Sequence, residues 1–311
     1  MSLIDAYKKS LKPLDVEEPI DVWVHRPLAY LLALALYPTR VSPNAVTMCS
    51  IACGIAAGFF LINQRIAHHM AWAGLCIFLS AVVDCADGQL ARMRKTSSNF
   101  GRMLDGMADG VVSVVIVAGG AVQILREHSG SPVLSVAIAL LIAFTAVTGS
   151  LHTGSYDHYK NLFLRVTNEK YQEGEDMVTA VARKAREGSD KTILQRFVWW
   201  VYLSYFNTHD RFGLWFDPYT TRRINALPPF DAERARIFRQ HNAGVMRMWR
   251  GLFGFGSMVF GFAVFAATDA LDWLIVLRGI GLNLVYFGWL MPRQRRASRD
   301  GFAAMGIEPA R

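Results

Sequence analysis

Apolar residues dominate six stretches of this chain, each close to the roughly 20 residues a helix needs to cross a bilayer. The first is Ala45 to Ile62. The second starts near His69 and stays apolar until its last turns, ending near Leu90. The third runs from near Gly101 to Leu125, with carboxylates in its first turns. The fourth is Pro132 to near Thr153, the fifth Met248 to Ala267 and the sixth Leu271 to Met291. Pro27 to Tyr37 is apolar but too short to span, and reads as a helix lying in the membrane interface. Arg40 to Asn44 (RVSPN) is the turn that feeds the first span, with Pro43 and Asn44 breaking and capping. Gly54 and Gly58 form a small-xxx-small pair suited to close helix packing. The pattern predicts an all-α integral membrane bundle of six transmembrane helices with an N-terminal interfacial helix.

His158 to Asn242 breaks the apolar pattern and is too long for a simple loop. Within it, Glu173 to Asp190 reads as an amphipathic helix, and Phe197 to Phe206 (FVWWVYLSYF) as an aromatic element at the interface. The expected organisation is an N-terminal segment over 1–43, spans one to four over 44–157, a cytoplasmic insert over 158–242, spans five and six over 243–291 and a tail over 292–311.

Basic residues fix the expected orientation. Lys8, Lys9, Lys12, Arg26 and Arg40 precede span one, Arg92, Arg94, Lys95 and Arg102 lie between spans two and three, and Arg293, Arg295, Arg296 and Arg299 follow span six. The opposite loops hold Arg65, then Arg126, then Asp269 and Asp272 with no cation. The positive-inside rule therefore puts both termini in the cytoplasm, as in a bacterial inner membrane. The net charge of +8 is accounted for by this asymmetry, so it gives no support to a nucleic-acid partner. The first twenty residues are charged and carry no signal-peptide core. With 52% hydrophobic and 19% charged residues the chain is neither disordered nor an ordinary soluble protein. Its four cysteines, Cys49, Cys53, Cys76 and Cys85, fall within spans and read as packing residues.

The chemistry concentrates between Asp84 and Asp109. Asp84 and Asp87 share one face of a helix that ends at Arg92, and Gly101, Asp105 and Asp109 share one face of the next. An eight-residue loop between Arg92 and Gly101 is expected to fold the two helices antiparallel. Four carboxylates at one depth cannot all stay ionised without compensation. Hard divalent cations, Mg²⁺ or Mn²⁺, suit oxygen ligands, and the four aspartates could hold two ions. Gly88 and Gly101 open the backbone to a ligand, and Arg92 offers a planar fork for phosphate. The bland alternative is a set of aspartates in ordinary salt bridges with Arg94, Lys95 and Arg102.

Asp84-x-x-Asp87-Gly88-x-x-Ala91-Arg92, eight residues, then Gly101-x-x-x-Asp105-x-x-x-Asp109 resembles the signature of the CDP-alcohol phosphotransferase family. The resemblance implies metal-dependent transfer of a substituted phosphoryl group from a CDP-alcohol to a hydroxyl, with release of CMP, in phospholipid biosynthesis. It implies that Asp84, Asp87, Asp105 and Asp109 hold a two-metal centre and that Asp109 is the general base. It implies that Asp84, Gly88, Ala91, Arg92 and Gly101 line the CDP site, joined by Asn44 and Thr47 of Pro43-Asn44-x-x-Thr47. It also implies a homodimer. The stretch from Arg26-Pro27-Leu28 to Pro43-Asn44 is closer to members that carry a polar head group on the nucleotide and transfer it to a lipid hydroxyl. The alternative is CDP-diacylglycerol with a soluble alcohol or alcohol phosphate. Acceptor candidates by position are Tyr156, Asp157, Lys160 and Arg250. Arg278 lies inside span six, near enough to its outer end to reach toward Asp272. A divalent-cation transporter is the rival of another class. It would want polar groups near the midplane of several spans, whereas these carboxylates cluster at one end.

Overall fold

The computed structural model describes residues 7, 14–96, 99–169, 213, 215–224 and 226–308, and among them there is helix and no strand. A π-helical turn, Asp21–His25, leads into α1, Arg26–Leu36. Then come α2 (Pro43–Ile62), α3 (His69–Arg94), α4 (Asn99–Glu127), α5 (Pro132–Thr167), the short α6 (Pro218–Ile224), α7 (Ala232–Leu252) and α8 (Phe255–Ala267). The last helix, α9, covers Leu271–Ala304 and contains π-helical turns at Leu277–Leu282 and Tyr286–Leu290. Among the described residues six segments are long and apolar enough to span: Pro43–Ile62, His69–Arg94, Leu104–Glu127, Pro132–Thr167, Ala232–Ala267 and Leu271–Ala304. The protein is an all-α integral membrane protein.

Several helices outrun the apolar stretches that announce them. α5 continues to Thr167 instead of ending near Thr153, the fifth apolar segment is preceded by helix from Ala232, and α9 continues to Ala304. Hydropathy marks where a helix meets lipid, and nothing stops a helix from continuing with polar residues beyond it. The chain enters α2 differently from expectation as well. Ser42 is the N-cap, its hydroxyl accepting from the Ala45 amide at 3.2 Å, and Pro43 occupies the first turn, where its missing N–H costs nothing. The amphipathic helix expected over Glu173 to Asp190 and the aromatic element over Phe197 to Phe206 lie outside the described residues.

The chain divides into two compact units, Met1–Leu151 with Arg250–Val285, and His152–Trp249 with Tyr286–Arg311. In the first, α2 packs along both α3 and α4, and α8 packs on α3. Small residues allow this. A Cβ on Gly74 would stand 2.5 Å from the Ala263 carbonyl oxygen, so α3 and α8 meet at backbone distance. Gly54 and Gly58 take up Val112 and Val115 of α4. The small-xxx-small pair is therefore used within the chain and lends no support to a dimer. In the second unit, Asp217 is buried and accepts from the Tyr159 hydroxyl at 2.9 Å, the Thr220 hydroxyl at 2.6 Å and the Thr220 amide at 3.1 Å. Trp249 donates to Gln294 Oε1 at 2.8 Å.

The N-terminal segment is anchored by charge in the first unit. Glu17 pairs with the buried Arg26 at 3.0 Å, and Arg250 donates to the carbonyls of Leu14 and Glu17. Glu18 is buried at the start of α8, where it accepts from the amides of Gly256 (3.2 Å) and Ser257 (2.8 Å) and from the Ser257 hydroxyl (3.0 Å). A helix N-terminus welcomes a carboxylate. Burial nonetheless dominates, and with the charge of Asp21 it pushes the Glu18 carboxyl up to about 7. A folded-state pKa above the unfolded value of 4.5 means that the folded protein holds the proton longer. Stability from this group is complete below the unfolded value and is lost as pH rises through 7, by about 3 kcal/mol over the window. Glu18→Gln keeps an acceptor for the helix and removes the titration. Its melting midpoint in detergent should stay flat between pH 4.5 and 7.5, where that of the parent falls. Equal slopes for the two proteins would show that Glu18 does not titrate in this range.

Candidate active site

α3 carries Asp84 and Asp87 one turn apart, and α4 brings Asp105 to them across the side of α2. One oxygen from each of Asp84, Asp87 and Asp105 lies within 4.8 Å of the other two. Asp109 stands one turn farther along α4, half-buried, and is not part of this triad. The turn between the helices is shorter than the eight residues expected. α3 continues to Arg94, Lys95 closes it in the left-handed conformation (φ 55°), and α4 starts at Asn99.

The three carboxylates are not equivalent. Asp87 is buried and accepts a short hydrogen bond from the Thr47 hydroxyl of α2, whose oxygen also lies 3.2 Å from the Pro43 carbonyl. Asp84 Oδ1 is buried with no hydrogen-bond partner. An orphaned carboxylate oxygen facing two more carboxylates is costly unless a cation lies among them. All the donors are hard oxygens, which fits a divalent cation of the Mg²⁺ or Mn²⁺ kind. The residues present therefore suit a metal ion.

Around the triad, Gly88 leaves room for Arg92. The Arg92 Nη1 lies 3.3 Å from the point a Cβ on Gly88 would occupy, so even a methyl group there would press on the guanidinium. Ala91 and Gly101 are half-buried, and Asn44 lies in the first turn of α2.

Arg94 has a role that spacing did not reveal. Its Nη2 donates to the carbonyls of Leu36 (2.6 Å), Thr39 (2.9 Å) and Tyr37 (3.1 Å), and its Nη1 to that of Val41. The end of α3 thereby ties down the end of α1 and the turn that leads into Ser42, Asn44 and Thr47. The acceptor candidates are placed as follows. Lys160 pairs with Asp157 three residues earlier and stands 4.9 Å from the ring centre of the buried Tyr156. These residues belong to the second unit. Arg250 belongs to the first, where its Nη1 is taken by the N-terminal segment.

Residues 40–160 match the family model described as CDP-alcohol phosphatidyltransferase. Over this segment the chain is similar to that family. It is similar to a phosphatidylinositol phosphate synthase of Mycobacteroides abscessus, 33% identical over 88 residues, covering 28% of this chain and 39% of the relative. It is similar to a CDP-diacylglycerol–glycerol-3-phosphate 3-phosphatidyltransferase of Cereibacter sphaeroides, 36% identical over 104 residues, covering 32% and 43%. A bifunctional IPC transferase and DIPP synthase of Rubrobacter xylanophilus is 33% identical over 113 residues, covering 35% and 24%. The chain spans less than half the length of each of these relatives. The matched segment contains Asn44, Thr47, all four aspartates and Arg92, so likeness and site fall on the same residues.

Proposed function

We propose that the protein transfers a substituted phosphoryl group from a CDP-alcohol to a hydroxyl and releases CMP, in phospholipid synthesis. The observation that carries this reading is the aspartate triad with its orphaned Asp84 oxygen, inside the segment that matches the family. Asp84, Asp87 and Asp105, with Asp109 beside them, would hold Mg²⁺ or Mn²⁺, in a two-metal arrangement when fully loaded. Bound divalent cations neutralise pyrophosphate oxygens and the developing charge on a CMP leaving group.

The remaining work falls to the chain. Thr47 holds Asp87 in one orientation through its hydroxyl. Arg92 presents a planar fork to the pyrophosphate, in the space that Gly88 leaves open. Asp109, one turn beyond Asp105 on α4, would take the proton of the acceptor hydroxyl as its oxygen bonds to phosphorus. The bond between that phosphorus and the CMP oxygen breaks in the same displacement. Asn44, Ala91 and Gly101 would line the nucleotide. Tyr156, Asp157, Lys160 and Arg250 remain candidates for the acceptor.

Two donors fit the reaction. The N-terminal stretch favours a CDP-linked polar head group, and the likeness to the CDP-diacylglycerol–glycerol-3-phosphate 3-phosphatidyltransferase of Cereibacter sphaeroides favours CDP-diacylglycerol. The test is CMP release in detergent with Mg²⁺ or Mn²⁺ from CDP-diacylglycerol, CDP-choline, CDP-ethanolamine and CDP-inositol, each with lipid or soluble acceptors. Release from one donor assigns the class. Metal uptake into vesicles without CMP release from any donor would favour the transporter. The basic-residue asymmetry supports a cytoplasmic side for both termini and this site, as in a bacterial inner membrane. The family resemblance favours a homodimer.

A further inference from the structure

A second group of metal-ligating side chains lies at the far end of α4. Glu127 is the last residue of that helix, His128 follows it, and Asp272 stands in the first turn of α9. One ligand atom from each lies within 4.8 Å of the other two. Glu127 follows Asp105 by 22 residues of the same helix, so about 33 Å separates this group from the aspartates along the axis. Asp272 does not meet Arg278, as its position in sequence suggested. Its Oδ2 lies instead 3.6 Å from His128 Nε2.

The three groups are held from behind. His128 Nδ1 lies 2.9 Å from the Ile124 carbonyl, which can only accept, so that nitrogen carries a proton and Nε2 turns toward Asp272. A backbone carbonyl in this position is how metal-ligating histidines are commonly oriented. The Ser135 hydroxyl donates to the His128 carbonyl at 2.8 Å and steadies the backbone there. The buried Gln123 donates to Glu127 Oε1 at 2.6 Å and accepts from Gln64 at 3.0 Å. Ile124 and Leu271 are buried in one apolar cluster, so packing fixes the two helix ends against each other.

Hydrogen bonding does not complete this arrangement. A neutral imidazole turns a lone pair of Nε2 toward a carboxylate oxygen, and the two repel. An imidazolium would draw the pair to about 2.7–2.9 Å. Two ligands of one tetrahedral ion, each about 2.0–2.2 Å from it, stand about 3.4 Å apart. The observed 3.6 Å is closer to the second spacing. Charge also favours a cation. Among the described residues neither Glu127 nor Asp272 has a lysine or arginine within ion-pair distance, and Arg126 donates to the Ile62 carbonyl. The C-terminal end of a helix disfavours a carboxylate such as that of Glu127. The side chains of His128 and Asp272 are 26% and 48% exposed, so an ion can enter from water.

We propose that Glu127, His128 and Asp272 form a second metal site, separate from the aspartates, which takes a divalent cation of the Zn²⁺ class and joins the end of α4 to the start of α9. Imidazole with carboxylates suits such borderline ions, whereas the all-oxygen aspartates suit Mg²⁺ or Mn²⁺. Three protein ligands leave one position for water. The test uses the untagged full-length protein in detergent, stripped with a chelator and dialysed into saturating Mg²⁺, with Zn²⁺ binding followed by titration calorimetry. The parent should bind one Zn²⁺ per chain. His128→Ala and Asp272→Asn should each weaken that binding at least tenfold, since losing even a partner behind a ligand costs about 10–100-fold. Both side chains reach water, so neither change threatens the fold. Co²⁺ in place of Zn²⁺ should give the parent the visible absorption of a four-coordinate ion, and His128→Ala should lack it. Asp84→Asn should leave both readouts as in the parent. Equal Zn²⁺ affinity in parent and His128→Ala would make the binding adventitious and overturn the assignment. So would a parent that binds no Zn²⁺, which would leave His128 and Asp272 as an ion pair only. Loss of Zn²⁺ in Asp84→Asn would overturn it as well, by placing the ion at the aspartates.

Discussion

Asp84→Asn should cut turnover by about 10³-fold or more while raising the melting midpoint of the metal-free protein. The two effects have one cause. Oxygens of Asp84, Asp87 and Asp105 lie within 4.8 Å of one another, and Asp84 Oδ1 has no hydrogen-bond partner. Without a cation these groups repel each other and Asp84 stays poorly solvated, so a neutral isostere relieves the fold. With a cation they become its ligands, and removing one withdraws a charge that the reaction depends on. Losing a single electrostatic stabiliser in an active site costs about 10²–10³-fold, and a missing ligand also weakens metal occupancy. Asp105→Ala should behave alike in turnover. The readout is CMP release at limiting Mg²⁺ beside thermal melting with and without metal. In the parent, added Mg²⁺ should raise the midpoint, and in Asp84→Asn that rise should shrink. Near-normal turnover at limiting metal in either variant would end the case for a metal centre here. A fall in both turnover and metal-free stability would make Asp84 a structural residue.

The aspartates were legible because helical spacing is local. Asp84 and Asp87 lie three residues apart on one helix, and Asp105 needs only the following helix to reach them. The six apolar segments were legible for the same reason. Contacts between parts of the chain remote in sequence left no such trace. Glu18 caps α8 from 238 residues away, and Arg94 collects carbonyls 53 to 58 residues earlier. Nothing in a lysine- and glutamate-containing N-terminus distinguishes a buried carboxylate from a solvated one. The stretch from Leu36 to Val41 carries no spacing signal of this kind, yet Arg94 satisfies the carbonyls of Leu36, Tyr37, Thr39 and Val41. Helix ends were misjudged wherever polar sequence stays helical, as in α5 beyond Thr153. Spacing also cannot rank Asp105 against Asp109, since the two are equivalent on a helical face.

Asp109→Asn is the most informative single change. If Asp109 takes the proton, the amide keeps its shape and removes the acceptor. General-base catalysis is typically worth about 10²–10⁴-fold, and the single-turnover rate should fall by that amount. Nucleotide affinity should change little, because Asp84, Asp87 and Asp105 still form the triad and Arg92 still lies against Gly88. Arg92→Lys should show the reverse bias. A planar fork becomes a point charge, so CDP-alcohol affinity should suffer at least as much as the rate. Measured together, nucleotide binding and single-turnover rate give each variant two coordinates, and the two variants should separate along opposite axes. Loss of binding and rate in equal proportion for Asp109→Asn would instead make Asp109 a fourth ligand. The α4 carboxylates would then act as a pair, and the proton acceptor would have to be sought outside Asp109.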